Sequence, residues 1–189
     1  MNPYDAILLL WLVWTVSWVA AAFWSERAAN RPSFSEEFLY RAVTVIGALM
    51  LYAPVYGHGL RLWGVGETFG WLLDAAALAG FLLCWWARIH LGKLWSGWVT
   101  RKEDHHIVDT GPYAIVRHPI YTGLILAALA TAVLEGTVIG ICGAALMTLG
   151  FWIKARLEER FLRQELGADA YDSYRRRVPM LVPFGPKAA

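Results

Sequence analysis

The chain has 189 residues, 58% of them hydrophobic and only 17% charged, with a mean hydropathy of +0.42. That balance excludes an ordinary soluble domain. A net charge of +2, with no basic run interleaved by aromatics, excludes a nucleic-acid partner. Eleven Trp suit long membrane–water boundaries, where indole rings favour the headgroup level.

The first apolar segment covers about residues 6–24. Met1-Asn2-Pro3-Tyr4-Asp5 before it has no positive charge, so the segment reads as a retained helix and not a signal peptide. Further apolar segments follow at about 38–56, 70–89, 120–134 and 137–153. A hydrocarbon core of about 30 Å takes roughly 20 helical residues, which the first three segments supply. The last two are shorter and separated only by Glu135-Gly136, which predicts a tight helical hairpin. The fold class expected is therefore all-α: a polytopic membrane protein with about five transmembrane helices, the last two a tight hairpin, plus a small cytoplasmic C-terminal helix. Residues 1–189 form a single domain in this reading, with 1–69 supplying two N-terminal spans and 70–189 the rest.

Two stripes of small residues bear on how the hairpin packs. Gly123, Ala127 and Thr131 recur every fourth position on the fourth segment, as do Gly136, Gly140 and Ala144 on the fifth. Such stripes let helix backbones approach closely, so these two helices are expected to meet through them. Cys84 and Cys142 lie inside apolar segments without ligand spacing and read as small core residues, not a disulfide. Pro179, Pro183 and Pro186 predict an extended end to the chain.

All 17 Lys and Arg except Arg61 fall between segments one and two, between three and four, or after five, counting Arg41 and Arg88 at the segment ends that border those loops. Cytoplasmic loops carry the Lys/Arg excess, so the N-terminus is expected outside and the C-terminus in the cytoplasm of a bacterial inner membrane.

The loop from Leu91 to His118 carries Lys93, His105, His106, Tyr113 and Arg117. Its adjacent histidines complete no ligand set, so no metal is expected. Gly111-Pro112 signals a turn, and Pro119 sits where a first helical turn tolerates it, making His118 a helix threshold. Taken alone, Arg117 reads equally as a boundary residue that snorkels to the headgroups. After the fifth segment, Leu157 can be set at about 0° on a helical wheel of ~100° per residue. Phe161, Leu162 and Leu166 then fall at about 40°, 140° and 180°, with Glu158 at about 100° inside their arc. Glu159, at about 200°, is placed at the edge and pairs with Arg163 at i+4. A buried carboxylate needs a cation or strong donors. An internal salt bridge from Glu158 to Arg117 or Arg88 would meet that need as well as a ligand would.

The arrangement Gly111-Pro112-Tyr113, Arg117-His118-Pro119-Ile120-Tyr121, Glu158-Glu159, Leu162, Gly167, Tyr171 and Tyr174 resembles the isoprenylcysteine carboxyl methyltransferase family, related to the phospholipid N-methyltransferases. The tail Arg176-Arg177-Val178-Pro179 with Pro183-Phe184 is similar too, and the resemblance covers residues 90–184. It implies S-adenosylmethionine as methyl donor, contacted by His105, His106, Ile107, Val108, Tyr113, His118, Pro119, Ile120, Tyr121 and Glu158. It also implies a lipophilic or prenylated acceptor, with Arg117, Lys154 and Arg177 as candidate catalytic residues that position its carboxylate beside the membrane lipid. A phospholipid amine acceptor, or an NADPH-dependent membrane reductase of related architecture, is the alternative.

Overall fold

Long apolar runs without interior proline become helices, because only a helix satisfies every backbone polar group locally inside a bilayer. A computed structural model describes residues 1–22, 34–53, 60–92, 95 and 107–187. The helices are α1 (Pro3–Ala22), α2 (Phe34–Tyr52), α3 (Glu67–Leu91), α4 (Pro119–Glu135), α5 (Val138–Leu166) and α6 (Ala168–Arg177), with a 3-10 turn over Gly111–Ala114. Among the described residues there is no strand, only an isolated bridge between Arg61 and Thr137. The all-α polytopic architecture is therefore as expected.

The expected spans all appear as helices, but they are unequal. Over Pro3–Ala21, Glu67–Leu91 and Val138–Glu165 they are long and apolar enough to cross a membrane. α4 has 17 residues, about 26 Å of helix, and falls short of the ~30 Å core. α2 has 19 residues but carries Glu36, Glu37 and Arg41 in its first turns. The helix expected after the fifth span is not separate. α5 continues through Glu158 and Glu159 to Leu166, 29 residues in all, and α6 is the short helix that follows.

The hairpin turn is as short as expected. Gly136 caps α4 in the left-handed region (φ 62, ψ 31) and donates its N–H to Ala132 O. Thr137 caps α5 by accepting from Gly140 N at 3.1 Å. The packing expected across the hairpin is different, however. Gly123 of α4 faces Gly80 of α3, backbone against backbone, and a Cβ on either would strike the other's carbonyl oxygen. α5 closes on α2 instead: a Cβ on Gly47 would lie 2.6 Å from Met147 N, and one on Gly143 would lie 2.5 Å from Leu51 N. The small residues thus build two pairs, α3 with α4 and α2 with α5. Gly140 looks back at Glu135 and Thr137 of its own turn.

These pairs enclose a core of Trp11, Leu51, Phe81, Cys84, Leu124 and Phe151, with Trp11 Nε1 donating to Thr131 Oγ1 at 2.9 Å. Cys84 is buried as expected. Cys142 is exposed on the outer face of α5, and both cysteines are free. Arg61 donates to Tyr4 Oη at 2.6 Å and bridges Thr137, so the start of α1, residues 60–66 and the α4–α5 turn share one end of the bundle. Arg117, Lys154 and Glu158 gather at the other.

Candidate active site

Pro119 opens α4, and His118 is its N-cap with φ −126 and ψ 64. After α6 no further helix forms; the chain passes this threshold through bends at residues 178 and 180–182 and a turn at 183–184, where the prolines predicted an extended end. Arg117 N donates to Pro179 O (2.9 Å), His118 N to Met180 O (3.1 Å) and Thr122 Oγ1 to Leu181 O (2.6 Å). Residues 178–181 therefore strap the first turn of α4 against the end of α5.

The strap brings together the Arg-His-Pro-x-Tyr run and both glutamates. Tyr121 donates its hydroxyl to Glu158 Oε1 at 2.6 Å. The His118 ring lies between the two carboxylates, with Nδ1 at 3.4 Å from Glu158 Oε2 and Nε2 at 3.3 Å from Glu159 Oε1. Lys154 Nζ stands 4.0 Å from Glu158 Oε1 and lies over the rings of Tyr121 (5.3 Å) and Tyr40 (5.5 Å). The aromatic rings stack in series: His118 on Tyr121 at 5.4 Å and 7°, and Tyr121 on Phe151 at 5.4 Å and 14°. The result is a carboxylate floor with aromatic walls, half-open at Glu158 and closed at Glu159.

Burial alone would disfavour a charged His118. Hydrogen bonds and charge from Glu158 and Glu159 outweigh it and raise the imidazole above its ordinary value. Only the imidazolium can donate from both nitrogens at once, so the geometry and the shift agree. Tyr113 is buried, which pushes its phenol well above its usual range. Its carbonyl oxygen accepts from Tyr174 Oη at 2.7 Å, tying the 3-10 turn to α6. At Gly111 (φ 57) the His90 ring sits where a Cβ would be, 2.7 Å from His90 Cε1, so the Gly-Pro turn requires glycine there.

Residues 72–164, which run from α3 through Glu158 and Glu159, match the isoprenylcysteine carboxyl methyltransferase (ICMT) family. Over that segment the chain is similar to members of this family. It is 35% identical over 103 residues to protein-S-isoprenylcysteine O-methyltransferase of Schizosaccharomyces pombe, covering 53% of this chain and 43% of the relative. It is 45% identical over 119 residues to methanethiol S-methyltransferase 2 of Bradyrhizobium diazoefficiens, covering 49% and 45% respectively. It is also 27% identical over 165 residues to the nickel-cobalt-cadmium resistance protein NccN of Alcaligenes xylosoxydans xylosoxydans, covering 82% and 71%. The matched part spans less than half the length of the first two relatives.

Of the residues that the family resemblance assigns to a cofactor, His118, Tyr121 and Glu158 meet directly. Pro119 and Ile120 form the turn beneath them, Pro119 fully buried and the Ile120 carbonyl oxygen accepting from Cys84 Sγ at 3.3 Å. Ile107 packs on Tyr171, Tyr174 and Val178, while Val108 is half-buried beside it. His105 and His106 lie outside the described residues.

Glu158 meets donors and a cation on a largely buried face, as expected, whereas Glu159 departs from its expected place. Glu159, placed at the wheel's edge, is the buried one at 4% exposure and pairs with Arg117 Nε at 2.7 Å. Arg163 does not take Glu159; it grips Asp172 instead, with Nη2 at 2.8 Å from Oδ2. Arg117 also donates to the carbonyl oxygens of Arg175 (3.0 Å) and Val178, so its guanidinium is spent inside the protein. Arg88 is held by Ala21 O at 2.8 Å and by the Trp95 face at 3.6 Å, and Glu158 has neither arginine as a partner. A helical wheel treats a helix as one cylinder against one core. Here the strap and α6 cover the edge where Glu159 emerges.

Tyr40, Glu37 and Arg41 of α2 are the residues that sequence reading overlooked. Glu37 is buried and paired with Arg41, while Tyr40 packs on Leu157 and flanks Lys154. A Glu-x-x-x-Arg pair at the head of an apolar segment was the available signal.

Proposed function

We propose that this chain is an S-adenosylmethionine-dependent methyltransferase acting on a lipophilic acceptor at the cytoplasmic membrane face, its first candidate an isoprenylcysteine-like carboxylate. The observation that carries this reading is the Glu158 carboxylate held at the polar edges of the stacked Tyr121 and His118 rings, in a segment that matches the family. A carboxylate with aromatic faces suits a cation, and the donor sought is a sulfonium. S-adenosylmethionine, when bound, supplies an activated methyl group. Tyr113, His118, Tyr121 and Glu158 would hold it, with Pro119 and Ile120 shaping the floor and Ile107 and Val108 at the edge; His105 and His106 are assigned to it by the family resemblance alone.

The chain's own residues then divide the remaining work. Arg117, committed to Glu159 and two backbone carbonyls, positions the strap and His118 and does not reach for the acceptor. Lys154, one turn before Glu158, and Arg177, paired at 3.0 Å with Asp109 near the surface, are left to orient an acceptor carboxylate. A carboxylate with an ordinary pKa near 4 is already ionised at neutral pH, so no general base is required. Orientation at the bilayer edge is worth several kcal/mol of barrier in favourable cases. Residues 1–69 supply two spans and residues 70–189 the catalytic part of one membrane domain, with the N-terminus outside and the site in the cytoplasm.

A thiol acceptor is the second reading, favoured by the likeness to a methanethiol S-methyltransferase. A thiol, like a phospholipid amine, must first lose a proton. Its rate should rise across neutral pH, whereas a carboxylate's should stay flat. Calorimetry of the purified protein with S-adenosylmethionine and with NADPH tests the cofactor. Binding of S-adenosylmethionine that is lost in Glu158→Ala, with helicity retained, is the expected result. No binding in detergent or in lipid overturns the reading, and binding of NADPH alone moves the chain to the reductases.

A further inference from the structure

On α5, Lys154, Glu158 and Phe151 face the candidate site. Trp152, Arg156, Arg160 and Arg163, spaced at i, i+4, i+8 and i+11, form a stripe on the opposite side of the helix. Between this stripe and Arg175 of α6 runs a groove of about 420 Å³, with Trp152 and Ile153 at its apolar end and Glu159 beneath. Arg163 and Arg175 share Asp172, at 2.8 and 3.1 Å. Arg175 Nε also lies 3.3 Å from Glu159 Oε2 without an aligned hydrogen bond, so one donor in the groove is unused. Arg156 and Arg160 are exposed and have no carboxylate partner among the described residues; Arg156 lies over the Trp152 ring at 5.4 Å. The groove is therefore cationic beyond its internal pairs.

Its depth is set by the helix. Arg156 lies 19 residues beyond Thr137, about 28 Å along the axis at ~1.5 Å per residue. That distance matches the ~30 Å hydrocarbon core, with Thr137 at one boundary and Arg156 at the other. Trp152 and Leu149, exposed one and two turns deeper, present an apolar surface where an acyl chain would run. Arginine recognises phosphate oxygens by paired, charge-assisted hydrogen bonds, and cations just outside the core attract anionic leaflets.

We propose that the α5–α6 groove is a binding site for an anionic membrane phospholipid: the headgroup phosphate lies between Arg156, Arg160 and Arg175, and one acyl chain lies along Trp152 and Ile153. The site sits back to back with the cofactor residues and does not depend on what they bind. Glu159 belongs to both faces, since it lines the groove and pairs with Arg117 and His118.

The test is native mass spectrometry of the detergent-solubilised protein, titrated with phosphatidylglycerol or phosphatidylcholine of the same chain length. The expected result is a preference for phosphatidylglycerol of about tenfold or more, from two surface cations. That preference should collapse in the double variant Arg156→Gln/Arg160→Gln and persist in Arg61→Gln at the opposite end. Circular dichroism should show both variants to be as helical as wild type, because all three arginines are exposed. Equal retention of the two lipids overturns the proposal. So does a preference that survives the double variant, or displacement of the lipid by inorganic phosphate alone, which would mark a site for free anions. Lipid retention is read without methyl transfer, so its failure is distinct from failure to bind S-adenosylmethionine.

Discussion

At the end of the bundle where α1 begins and α4 turns into α5, backbone and aromatic groups do the holding. Leu62 N donates to Gly136 O at 2.7 Å, Val138 N to Leu60 O at 3.0 Å, and Trp63 Nε1 to Val133 O at 2.9 Å. Arg61 is the basic residue there, exposed and bonded to a phenol. At the other end Arg117, His118, Glu158, Glu159 and Arg175 interlock, and residues 178–181 are pinned over them. The first end is a closure built mainly on backbone hydrogen bonds. The second is a charge network in which removing one member leaves another buried and unpaired. A network of that kind suits a site that receives a charged ligand, since the cost of burying its charges is met before the ligand arrives.

The widest test of this contrast is Glu159→Ala. It strands Arg117 in a buried position and is expected to cost about 3–5 kcal/mol, read as thermal unfolding in detergent; a loss below about 1 kcal/mol would place this end in the same class as the other. Next comes Gly136→Val, which forces a β-branched side chain into the left-handed region and against Trp63. About 1–3 kcal/mol is expected, showing that the closed end depends on backbone conformation and not on charge. A smaller effect is tied to His118. Its folded pKa is raised, so its contribution is complete below its unfolded value of about 6.5 and is lost as pH rises through the folded one. Unfolding temperature should therefore fall over the range above about 6.5 in wild type, and fall less in His118→Gln; parallel curves would remove His118 from the network. Smallest is Arg61→Ala, an exposed group expected to cost no more than about 1 kcal/mol by the same unfolding measurement.

Much of the site was legible because its signals are local. His118 as a helix threshold follows from Pro119 in the next position, and the turn at Gly111 follows from Gly-Pro. Glu158 belonged on a packed face by periodicity alone and is found hydrogen-bonded to Tyr121. Glu159 was harder to read, because its burial comes from α6 and from a strap that folds back from residues 178–181. Tyr40 was hidden for a similar reason. It reaches Lys154 across the seam between α2 and α5, more than a hundred positions along the chain.

Sequence by itself determined the all-helical membrane class, the helix thresholds and the gathering of basic residues away from the end that holds Arg61. Each of these depends on hydropathy, proline geometry or charge count, which a single segment carries with it. Tertiary structure decided which helices pair, because small-residue stripes announce a close approach but not the partner: Gly123 met Gly80 of α3, and Gly143 met α2. It decided also which glutamate is sealed and which stands open. That depends on the elements covering each side of α5, and no periodicity within α5 encodes them.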